Sequence, residues 1–114
     1  MPDDDRRQRE KMEARYGELG SGRMELTIGG KTYGLRSLLQ ALGLLFEDVA
    51  PIDAVVLGDD LCAVRYFDMQ DRNVVACEFR GDFSYVTEHR VHIAEWMGEA
   101  YYTFPWYVDC PTDM

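Results

Sequence analysis

The stretch from Ala54 to Thr87 constrains the fold more than any other part of the chain. Four runs, Ala54–Leu57, Leu61–Phe67, Asn73–Arg80 and Phe83–Thr87, carry apolar residues at a period of two. Gly58-Asp59-Asp60, Asp68–Asp71 and Gly81-Asp82 separate them. Period-two runs joined by such short polar connections predict an antiparallel meander. A loop at Asp68–Asp71 sets Cys62 opposite Cys77, Val64 opposite Val75 and Tyr66 opposite Asn73. Cys62, Val64, Val75, Cys77 and Phe79 then share one apolar face, which a one-residue slip would scatter.

Ahead of the meander, Met24, Leu26 and Ile28 alternate with Glu25 and Thr27, the pattern of a half-buried strand. Gly29-Gly30 is a hairpin signal, because both positions of a tight two-residue loop take positive φ. The return strand is Lys31–Gly34. From Ser37 as cap, the spacing of Leu38, Leu39, Leu42, Leu45, Phe46 and Val49 predicts a helix over 37–49, weakened at Gly43 and closed by Pro51. Thr87 would cap a second helix, Glu88–Met97, with Val91, Ala94 and Trp96 turned inward. The aromatic run at 100–108 reads as an edge or bent strand, since Pro105 cannot donate to a ladder.

Residues 3–16 alternate in charge and offer only Met12 and Tyr16 to a core. Acids first and bases after suit the helix dipole, and the segment is a helix if something covers those two side chains. Gly17–Gly22 reads as a hinge. The expected organisation is a charged arm or helix over 1–20 and one domain over 21–114. The expected fold is α+β: a mainly antiparallel sheet of five or six strands, packed by one or two helices, with the charged N-terminal helix or arm peripheral. ELTIGGKTYGLRSLLQAL, residues 25–42, resembles the opening of small tail-assembly proteins of phages and gene transfer agents. In those proteins a strand, a Gly-Gly-Lys turn and a Leu-rich helix recur, and the resemblance implies a mobile-element origin.

Charge narrows function. Residues 1–36 hold 8 basic and 7 acidic side chains, whereas residues 37–114 hold 14 acids against Arg65, Arg72, Arg80 and Arg90, a net of −10. Such a body repels phosphate and attracts basic partners, which argues against direct contact with nucleic acid or an anionic membrane. A 46% hydrophobic share excludes a disordered chain. No run approaches the ~20 apolar residues of a membrane span, and the charged N-terminus lacks a signal-peptide core. With three cysteines at no metal-type spacing, the expected setting is reduced and cytoplasmic.

Three candidate sites follow. The turn acids Asp59, Asp60, Asp68, Asp71 and Asp82, with Trp106 and Tyr107 as apolar anchors, form a candidate partner-binding surface. Glu88, His89, His92 and Glu95 would share a helix and present metal or acid-base chemistry, though no further ligand is evident. Cys62 and Cys77 would make a redox pair if they face each other, but a reduced setting and an apolar face favour buried, inert thiols. No cofactor and no catalytic or metal residue is assigned. The expected function is an inhibitor that occludes a basic nucleic-acid-handling host protein sterically and electrostatically, as anti-CRISPR and anti-restriction proteins do. The alternatives are a phage or gene-transfer-agent assembly factor with apolar contacts, and a small enzyme using the 88–95 helix. The second face of the C-terminal aromatic strand suggests a homodimer.

Overall fold

The computed structural model describes residues 2–92, with side chains from Arg7 onward. The elements run α1 (Pro2–Tyr16), β1 (Glu25–Ile28), β2 (Lys31–Gly34), α2 (Leu35–Ala41), β3 (Val49–Val56), β4 (Leu61–Asp68), β5 (Asn73–Arg80) and β6 (Tyr85–His92). Strands β3-β4-β5-β6 form an antiparallel meander in that order, and β1-β2 form a separate hairpin. The fold is α+β. Among the described residues no helix is long and apolar enough to cross a membrane.

Both faces of the meander are covered, so its two central strands are buried along most of their length. On one face α1 seats Met12 and Tyr16 against Ile52, Ala63, Phe67, Val74, Ala76 and Val91. These two side chains lie four apart, one above the other on a helix, and are 2% and 4% exposed. The cover that a helix at 3–16 needs is thus the sheet itself. On the other face the hairpin and α2 bring Leu26, Leu35, Leu38 and Leu39 onto Val64, Tyr66, Val75, Cys77 and Phe79.

The β4-β5 face is the expected one, but its pairing is shifted by two residues. Asp68 pairs Asn73, Cys62 pairs Phe79 and Val64 pairs Cys77. The turn is therefore 69–72. Asp68 ends the strand because its Oδ1 accepts the Gln70 and Asp71 amides, closing the turn after it. A shift of two preserves which face each side chain takes.

Two helix expectations are corrected. The first helix starts at Leu35 with Gly34 as its cap, not Ser37, and ends at Ala41. Gly43 takes φ +74, Leu44 N–H donates to Leu39 O and Gly43 N–H to Gln40 O. That pair of bonds is a Schellman stop, so Gly43 terminates the helix and Val49 is free to open β3. The second helix does not form over 85–92. Those residues make β6, paired with β5 from Asn73↔His92 to Phe79↔Tyr85. Its remaining part, and the 100–108 strand, lie outside the described residues. The Gly29-Gly30 turn is as expected, at φ +61 and +83.

Candidate functional site

A buried ion pair builds the site. Asp53 and Arg65, on neighbouring strands, have no side-chain exposure. Arg65 donates Nε to Asp53 Oδ1 at 2.7 Å and Nη2 to Oδ2 at 2.7 Å. Its other donors reach Gly17 O at 2.6 Å and Glu18 O at 3.0 Å. Asp53 Oδ2 also accepts the amides of Gly20 and Gly22, each at 3.0 Å. A fork of guanidinium donors thus organises the 17–22 linker from beneath, with every guanidinium nitrogen and both carboxylate oxygens hydrogen-bonded. The approach is close enough that a Cβ on Gly22 would stand 2.5 Å from Ala54 O.

Held this way, the linker delivers Arg23 to the free edge of β3. Arg23 N–H donates to Ala54 O at 2.7 Å and Ala54 N–H to Arg23 O at 2.8 Å. This is an isolated bridge, after which β1 and β3 part company. The gap between them is an open cleft of about 550 Å³. Arg23 through Gly29 form one wall; Val56, Gly58, Asp59, Asp60, Cys62 and Gly81 form the other. Met24 and Val56 stand 67% and 45% exposed at its mouth.

The predicted acids divide between the two ends of the meander. Asp59 and Asp60 lie in the β3-β4 turn on the cleft wall, and Asp82 is in the β5-β6 turn at the same end. Asp60 Oδ1 accepts Gly81 N–H at 3.0 Å, tying the two turns together. Asp82 accepts both the amide and the hydroxyl of Ser84, which hold its carboxyl below the ordinary range. Phe83 follows it at φ +66, stacked on Phe79 at 5.9 Å and edge-on to Tyr33 at 5.0 Å, which anchors this end to the hairpin. Asp68 and Asp71 lie at the other end, about 25 Å away along an eight-residue strand. Asp68 is buried, serves its own turn and pairs with Arg90 at 3.4 Å. Asp71 is exposed, 3.8 Å from the same Arg90. The five acids therefore do not make one surface. Trp106 and Tyr107 lie outside the described residues.

The histidine cluster is not assembled as expected. On strand β6, His89 points to the α1 face, its ring 6.1 Å from that of Tyr16, while Glu88, Arg90 and His92 take the opposite face. Glu95 lies outside the described residues. Among the described residues, no group of three or more His, Cys, Asp or Glu is placed to hold a metal. The thiols are not opposed either, since Cys62 faces Phe79 and Cys77 faces Val64. Burial pushes the Cys77 thiol up to about 12 and raises that of Cys62.

Sequence reading passed over a second polar cluster. Glu78, buried in β5, binds the half-exposed Arg15 guanidinium and accepts Tyr16 Oη–H at 2.5 Å. Arg15 holds the Glu78 carboxyl below its ordinary range, while burial and Glu78 raise the Tyr16 phenol. These bonds fasten α1 to the sheet beside an open groove of about 490 Å³ that also takes in Lys11 and His89. No protein-family model matches this chain, and no curated protein or solved structure matches it.

Proposed function

We propose that this protein is a small acidic binding module that docks on a basic, nucleic-acid-handling protein and blocks its charged groove. The observation that carries the reading is the cleft end of the meander. There the exposed Asp59 and Asp60 line one cleft with the exposed apolar side chains of Met24 and Val56, and the exposed Asp82 sits in the neighbouring β5-β6 turn. Apolar contact beside solvent-exposed negative charge suits a partner rich in Lys and Arg, and the net of −10 over residues 37–114 steers encounter with it. The docking acids are accordingly Asp59, Asp60 and Asp82 at the cleft end; Asp68 and Asp71 lie at the other end, beside Arg90.

The test is capture of host proteins on immobilised wild type and on two charge-reversed forms, washed at low and high salt. Asp59→Lys with Asp60→Lys should lose the basic nucleic-acid-binding proteins retained by wild type at low salt. Asp71→Lys, at the far end, should keep them. Equal capture by all three would refute the electrostatic docking. Phe46, 50% exposed within the 25–49 segment, and Met24, 67% exposed just ahead of it, favour the assembly-factor reading instead. Its partners would survive the high-salt wash and be lost in Met24→Ser.

A further inference from the structure

We infer that the cleft between β1 and β3 accepts an extended, Lys- or Arg-bearing segment of a partner protein as an added β-strand on the free edge of β1. This deepens the proposed function and rests on it, because the occupant is taken to be part of the basic partner.

The backbone carries the inference. In a two-residue hairpin the flanking pair, here Ile28↔Lys31, exchanges both hydrogen bonds, and the pattern alternates from there. Leu26 and Ile28 therefore direct their N–H and C=O to β2, and Glu25 and Thr27 direct theirs the other way. Thr27↔Thr32 is accordingly a non-bonded pair, with its hydroxyls 2.9 Å apart across the ladder. Arg23 has the same parity as Glu25 and Thr27, and spends its outward pair on Ala54. Past that bridge nothing described continues the ladder: Glu25 and Thr27 present unpaired backbone groups to the cleft. Across from them, Leu57 N–H turns to Leu61 O within the β3-β4 hairpin, so Val56 turns its own N–H and C=O outward to the cleft. Two strand edges thus face one open space, and among the described residues the backbone bonds joining them are those of Arg23 and Ala54.

Unpaired edges of this kind template an incoming strand, whose main-chain bonds supply affinity and whose alternating side chains supply selectivity. The cleft walls specify that strand's chemistry. Glu25, Asp59 and Asp60 set three carboxylates against the single guanidinium of Arg23, and Met24 and Val56 offer apolar contact. An extended segment alternating basic and apolar residues matches both.

The probe is a labelled peptide of alternating lysine and valine, titrated by fluorescence anisotropy against the full chain. Beside it runs the same peptide N-methylated at alternate residues, which keeps its charge but cannot donate along one edge. The unmodified peptide should bind about tenfold or more tightly than the methylated one, two or three lost hydrogen bonds being sufficient. Thr27→Pro should weaken it comparably, since residue 27 directs its N–H away from β2 and proline is tolerated on such an edge. Equal affinity for both peptides would overturn strand addition, and that result needs no variant to fold. Absence of binding by either peptide would overturn it as well. If capture of basic proteins survives while the peptides are not distinguished, strand addition alone fails. If capture is also lost, the acidic docking reading fails with it.

Discussion

Replacing Asp53 with alanine removes one carboxylate and four hydrogen bonds at once. Two come from Arg65 and two from the amides of Gly20 and Gly22. Because both members of the pair are fully buried, the variant leaves the Arg65 guanidinium in a dry setting with no counter-ion. Breaking a buried pair from one side costs about 3–5 kcal/mol, mostly the penalty of the stranded charge. The orphaned amides lie where the linker meets solvent, so water repairs part of their loss and the total stays near that range. A domain of this size has roughly 5–15 kcal/mol of stability in all. Asp53→Ala is thus expected to remain folded with Tm lowered by about 10–20 °C. Urea unfolding followed by far-UV circular dichroism measures the loss. Hydrogen exchange locates it: Gly20, Gly22 and Arg23 amides should lose protection well before those of β5. A loss below about 1 kcal/mol, or unchanged exchange at the three amides, would show that the pair does not organise the linker.

Three further outcomes are expected. Gly22→Ala forces a Cβ to 2.5 Å from Ala54 O and 3.0 Å from the Asp53 carboxylate, and should cost about 1–3 kcal/mol in the same urea assay. Glu78→Gln should destabilise by about 1–3 kcal/mol at pH 7. Since the Glu78 carboxyl is depressed in the folded state, its contribution is whole above the ordinary Glu value of about 4.3 and is lost as pH falls through the lower folded value. The gap between wild type and variant should therefore close in acid; a gap that stays constant from pH 7 to pH 3 would contradict the Arg15 contact. In a Cys110→Ser background, Cys77 should resist a thiol reagent at pH 8 until urea is added, because burial pushes its thiol up to about 12. Prompt reaction of both remaining thiols would show that the hairpin and α2 do not seal that face.

What the chain determined by itself is what depends on period and parity. Alternation along 61–67 and 73–80 decides which side chains share a face, and that survives a register shift of two because parity is unchanged. Gly29-Gly30 determines a hairpin because few other dipeptides accept two positive φ values in succession. The division of the turn acids was also legible: alternate turns of a meander lie at opposite ends, so Asp68 and Asp71 had to part from Asp59, Asp60 and Asp82. Gly43 is likewise a local stop signal, because a glycine takes the positive φ that ends a helix at little cost.

Tertiary structure decided the rest. Residues 85–92 carry charges and histidines that a helix would accept, but the open edge of β5 offers a full ladder of backbone bonds, and this non-local pairing outweighs weak local preference. Residues 2–16 become a helix on the core because the sheet's second face needs covering, a demand arising some fifty residues further on. Asp53 and Arg65 look like ordinary strand residues in the chain. Only the β3-β4 register, with its bulge between Pro51 and Asp53, brings them together beneath the glycine linker. The cleft exists for the same reason: Arg23 and Ala54 are joined by contacts between distant segments, and local sequence carries no energy term that records such contacts.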